Sequence, residues 1–220
     1  MDINAFIDYT LLNSTATERD IVNLCHKALN NNYYAVCINS CYVPLAKQLL
    51  NKTPVKICSV VGFPLGAMST KAKAFEAQKA IENGADEIEM VINLGLLKSK
   101  NYIGLLKDIY DVKMAINHKP LKVIIEIGEL SKNEIIKACE ICLDANANYI
   151  KTSTGFAHGG ATFTAIKIIK KTVKDDIKIV ASGGINDFET AAKYIQLGVH
   201  RIGATQELKA TKPSLVKEIL

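Results

Sequence analysis

The chain has no run of about 18 uncharged apolar residues, which is what a membrane-crossing helix requires, so no such helix is expected. It has no cluster of five or six basic residues either. The 27 lysines and arginines are interleaved with 22 acids, and the net charge of +5 is spread along the sequence. That pattern describes a solvated surface and argues against a nucleic-acid partner. Proline is scarce, at five residues, and low-complexity tracts are missing, which excludes a proline-rich linker and a disordered class. With no interior linker, one domain is expected over 1–220. Its amino terminus, Met1 to Asp8, lacks an apolar core of secretory length, so the expected location is the cytoplasm. The six cysteines (Cys25, Cys37, Cys41, Cys58, Cys139, Cys142) have no paired CxxC spacing with histidines. They read as reduced core thiols. Cys139 and Cys142 sit three apart on an expected helix, but no second ligand pair completes a tetrahedron, so no metal site is expected.

What is present is 49% hydrophobic residues in 220, enough for a sizeable core. Short apolar runs recur along it: Phe6–Leu12, Tyr34–Asn39, Val55–Phe63, Glu87–Gly95, Lys122–Glu129, Tyr149–Phe156, Lys178–Ile185 and His200–Ala204. Between them lie amphipathic segments such as Thr17–Asn31, Thr70–Asn83, Asn133–Asn146 and Ala161–Thr172, with apolar spacings of three and four. This alternation predicts parallel strands joined by crossover helices, and eight such units in this length favour a closed (β/α)8 TIM barrel over an open sheet. No GxGxxG follows the first strand, which argues further against a dinucleotide fold.

Barrels of this kind carry their chemistry at the C-terminal ends of the strands. There the sequence places Asp8 and Thr10, Gly62–Gly66, Thr152–Gly155 and Ser182–Gly184. Lys151 lies inside a run that should be buried on both faces, where burial disfavours the ammonium and lowers the pKa toward a nucleophilic amine. Glu89 is likewise a charge inside an apolar strand, able to relay protons or simply to neutralise the lysine. Gly155, Gly183, Gly184 and Gly203 close three strands with exposed N–H groups suited to a phosphate.

Six segments, Ile7–Leu12, Ala35–Asn39, Val60–Ala67, Glu87–Asn93, Lys151–Phe156 and Ala181–Ile185, together resemble the deoxyribose-phosphate aldolases in order and spacing over nearly the whole chain. KTSTGF and VVGFPLGA are the most specific of these. The resemblance implies a class I aldolase that needs no cofactor or metal and cleaves 2-deoxyribose 5-phosphate to glyceraldehyde 3-phosphate and acetaldehyde. Lys151 matches its Schiff-base lysine, and Glu89 falls where the family has a proton-shuttling aspartate. Gly155, Gly183, Gly184 and Gly203 match its phosphate-holding positions, and Asp8 and Thr10 its rim. Cys37, Thr154 and Thr205 join the expected substrate-binding set. Homodimers are usual in such families, and no apolar stripe in the sequence marks an interface.

The sequence also departs from that pattern. Val180 stands where the family has a second catalytic lysine, whose charge would depress the pKa of the first. Lys178, on the same face about 7 Å further down, is the candidate to stand in for it as a catalytic residue, the other reading being a lysine at the start of a strand that faces solvent. Glu89 is one methylene longer than the aspartate, expected to displace its carboxylate by about 1 Å. Ile127 replaces a common threonine, and Glu207, expected at the start of the last helix, would repel a phosphate. Two readings follow: an active aldolase of this or a similar specificity, and a relative that binds a sugar phosphate or a protein without turnover.

Overall fold

The computed structural model describes residues 2–209. Eight parallel strands close on themselves in sequence order: β1 (Ile7–Leu11), β2 (Ala35–Ile38), β3 (Lys56–Val61), β4 (Glu87–Val91), β5 (Leu121–Ile124), β6 (Tyr149–Lys151), β7 (Lys178–Ser182) and β8 (Arg201–Ala204). The outer layer is made by α1 (Glu18–Asn30), α2 (Val43–Leu50), α3 (Thr70–Glu82), α4 (Leu94–Lys98), α5 (Tyr102–Ala115), α6 (Lys132–Asp144), α7 (Phe163–Val173) and α8 (Phe188–Gln196). The fold is a (β/α)8 TIM barrel, as the alternation predicted.

Helix starts follow local chemistry. The Thr17 and Ser131 hydroxyls accept from the N–H groups of Asp20 and Glu134, whose carboxylates accept in return from the cap N–H groups, which gives α1 and α6 reciprocal capping boxes. All the strands but β8 are nearly continuous in buried residues, because one face meets the helices and the other fills the barrel. Between strands and helices, isoleucine, valine, leucine and alanine side chains form one continuous core, each full burial of a large aliphatic contributing about 1.5–3 kcal/mol.

The strands are shorter than the apolar runs. Seven of the eight runs extend past the last residue of their strand, and His200–Ala204 ends with it. The run Lys122–Glu129 stops pairing at Ile124, and Glu126 takes up a left-handed backbone at φ 53° before a 3-10 turn over Ile127–Glu129. Five cysteines are buried as expected; Cys41 is exposed.

Register fixes which side chains share the interior. Cα partners run Cys37 to Cys58 to Glu87, then Val60 to Glu89 to Lys122 to Tyr149 to Lys178, and Lys151 to Val180 to Arg201. Side chains at paired positions lie on the same side of the sheet. The barrel lumen therefore receives charges of both signs from β1, β4, β5, β6 and β8, while Leu12, Cys37, Cys58 and Val60 form a small apolar cluster under Phe63.

Candidate active site

Lys151 ends β6 with its amine 3% exposed, and it donates to Glu89 Oε2 at 2.6 Å. The Glu89 carboxylate is thus in direct contact with the amine. Cys37 donates its thiol hydrogen to the same oxygen at 3.4 Å. Gly203 makes room for the lysine: a Cβ there would lie 3.5 Å from Nζ and 2.9 Å from the Ser182 Cβ. Burial pushes Glu89 up, but the neighbouring charges of Lys151 and Lys122 outweigh it and hold the carboxyl at about 2. Burial likewise pulls Lys151 down, yet the Glu89 charge wins and the amine sits above its ordinary range. The sequence expectation of a depressed lysine pKa is therefore reversed, because burial came with a contact counter-ion.

Beneath this pair is a group the sequence reading passed over. Lys122 is fully buried, 2.6 Å from Asp8, 2.8 Å from Glu87 and 3.5 Å from Glu89. Desolvation pulls its pKa down, but the three acids raise it well above normal. Asp8 is raised, chiefly by burial, with Glu87 and Glu89 adding and Lys122 opposing. Arg201 lies flat on the Tyr34 ring at 3.2 Å and 3.8 Å from Asp8, and the Tyr34 hydroxyl donates to Glu87 at 3.2 Å. The signal for Lys122 was of the kind that singled out Lys151, a charge joined to an apolar run, but Lys122 stands at the start of its run rather than within it.

Above Lys151 opens a cavity of about 140 Å³. Thr10, Thr154, Gly155, Gly183, Gly184, Gly203 and Thr205 line it with the lysine, as do Ser182, expected at a strand end, and Ile185 and Asn186, which the sequence reading did not place at the site. Gly183 and Gly184 have φ of 89° and 78°, a pair of positive values that bulkier residues resist. The N–H groups of Gly155, Gly183 and Gly184 donate to no protein acceptor among the described residues. Asp8 and Cys37 are not among the lining residues; they sit under the site, against Lys122 and Glu89.

Two expectations are corrected here. Lys178 does not substitute for a lysine at position 180: it is solvent-exposed, its amine 5.6 Å from the centre of the Tyr149 ring at the N-terminal end of the strands, because the start of β7 opens to water. Glu207 turns to Lys27 of α1 at 2.7 Å rather than beginning a helix at the cavity; residues beyond 209, where the last helix was expected, lie outside the described residues. Val180 is fully buried beside Lys151, and Ile127 is 7% exposed.

Residues 3–205 match the model of the DeoC/LacD family aldolases. The chain belongs to this family. It is an aldolase, a lyase. A deoxyribose-phosphate aldolase of Finegoldia magna is 50% identical over 95% of this chain and 98% of its own length. The solved structure of an aldolase designated QR15 superposes with a TM-score of 0.90 at 40% identity, covering 93% of this chain and 92% of that one. That of the Aeropyrum pernix deoxyribose phosphate aldolase, described as a unique tetramer, gives 0.85 at 30% identity over 92% and 86%.

Proposed function

We propose that the protein cleaves 2-deoxyribose 5-phosphate to glyceraldehyde 3-phosphate and acetaldehyde through a Schiff base on Lys151. The observation that carries this reading is a buried amine in contact with one carboxylate, at the floor of a cavity rimmed by unpaired N–H groups. Glu89 accepts the ammonium proton as the sugar aldehyde enters, and the freed amine adds to C1. The carbinolamine loses water, with Glu89 returning the proton to the departing hydroxyl. The iminium then draws electrons from the C2–C3 bond as the Glu89 carboxylate takes the proton of the C3 hydroxyl, releasing glyceraldehyde 3-phosphate and leaving an enamine. Protonation at C2 and hydrolysis free acetaldehyde and the lysine. Backbone N–H groups of Gly155, Gly183 and Gly184, with Thr205, hold the phosphate away from the reacting end. No metal or cofactor takes part in this scheme.

One observation favours a second reading, a sugar-phosphate binder with little turnover. Lys151 is held charged by Glu89, and Val180 offers no second cation to release it. Acetaldehyde release from 2-deoxyribose 5-phosphate by the protein and by Lys151→Met separates the two. Release that disappears with Lys151, together with a borohydride-trapped adduct on that residue by mass spectrometry, supports the aldolase. Release no greater than that of the variant leaves the binder.

A further inference from the structure

Behind the loop that follows β6, Glu126 makes contacts that the steps above do not use. It is 3% exposed, and its left-handed backbone is one that residues other than glycine adopt only at a cost. A buried carboxylate ordinarily takes a cation as its partner. The hydrogen bonds to this one all come from a single residue. The Thr154 N–H donates to Oε1 at 3.3 Å and to Oε2 at 3.2 Å, and the Thr154 hydroxyl also donates to Oε2. Thr154 Oγ in turn accepts from the Phe156 N–H at 3.0 Å. The N–H groups on both sides of Gly155 are therefore committed to the protein, while that of Gly155 has no protein acceptor and its residue faces the cavity with Lys151. Glu126 itself is not among the cavity-lining residues.

We infer that Glu126 is the positioning residue of an anion subsite: by fastening Thr154, it fixes the turn that presents the Gly155 N–H to a phosphate. Oε2 accepts from both the N–H and the O–H of Thr154, and the N–H is shared with Oε1; a glutamine that keeps its oxygen at the Oε2 position turns an NH₂ donor toward the Thr154 N–H in place of the second acceptor. The inference rests on the phosphorylated substrate proposed above, and its test has an arm independent of turnover. Inorganic phosphate binding by titration calorimetry, and kcat and KM for 2-deoxyribose 5-phosphate and for unphosphorylated 2-deoxyribose, are compared between the wild type and Glu126→Gln. Glu126→Gln should weaken phosphate and raise KM for the phosphorylated sugar about tenfold or more. Its kcat, and its kcat/KM on the unphosphorylated sugar, should stay within about twofold. Equal losses on both sugars, or unchanged phosphate affinity in a variant with native circular dichroism, overturn the inference, as does a wild type that binds no phosphate. If Glu126→Gln does not fold, Thr154→Val removes the hydroxyl donor alone and should lose phosphate affinity in the same direction. A wild type that binds phosphate but cleaves neither sugar sinks the proposed reaction, and the phosphate comparison alone then decides this point.

Discussion

Glu89 sets the charge state of the residue it touches. Because burial and Lys122 both lower the Lys151 pKa and Glu89 raises it, removing the carboxylate should let the pKa fall. For the wild type this predicts kcat/KM that climbs as pH rises into the alkaline range, where the free amine becomes more abundant. In Glu89→Gln that limb should move to lower pH while the plateau drops, since the proton acceptor is gone; an unmoved limb in a pH series would exclude Glu89 as the controlling charge. Val180→Lys tests the same balance from the other side. A second ammonium at the β7 position paired with Lys151 lowers its pKa by like-charge repulsion. The rate at neutral pH should rise and the alkaline limb should shift down, read from kcat/KM profiles of the two proteins.

Between elements, the outer layer is tied by a buried ion pair far from the reacting amine. Lys73 of α3 donates to Asp108 of α5 at 2.6 Å and to the Val91 carbonyl at the end of β4 at 3.0 Å, and Thr70 donates to the other Asp108 oxygen at 2.9 Å. Both charged side chains are essentially unexposed. Asp108→Ala leaves an ammonium buried with no anion, which should cost about 3–5 kcal/mol in urea unfolding. Replacing both partners, as Lys73→Met with Asp108→Leu, should recover most of that loss. A double variant as unstable as the single one would mean that the packing of α3 on α5, rather than the charge, is what Asp108 supports.

Over the whole molecule, Lys122 gathers acids from β1 and β4, and those acids lead on to Arg201 of β8 and Lys151 of β6. Strands that meet only around the full circumference of the barrel are thus coupled through its centre. Lys122→Met leaves Asp8, Glu87 and Glu89 with one cation fewer in a low-dielectric lumen. The variant should lose several kcal/mol at neutral pH, on the order of a broken buried pair or more. Without the lysine the folded-state pKa values of Asp8 and Glu89 rise, so protonation favours folding, and the stability gap to the wild type should narrow as pH falls through the carboxylate range. Urea midpoints at several pH values test this; a gap independent of pH would show that the lysine acts through its volume and not its charge.

The eight-fold alternation, the parallel barrel, and Lys151 and Glu89 as interior charges were all legible in the sequence, because period-two apolar runs and helical spacings report local burial and a charge within such a run stands out. The strand order and the cavity-lining glycines at the ends of β6, β7 and β8 followed from the same pattern. Pairing across the barrel was not legible. Whether Lys151 is depressed or raised depended on the 2.6 Å contact with a residue 62 positions away. Whether Lys178 reached the site depended on the start of β7 opening to solvent. Lys122 gained its role from acids on two other strands, and Glu126 from a loop 28 residues on. Periodicity states which face a side chain takes; the charge it meets there is decided only when closure of the barrel brings distant strands to within a hydrogen bond.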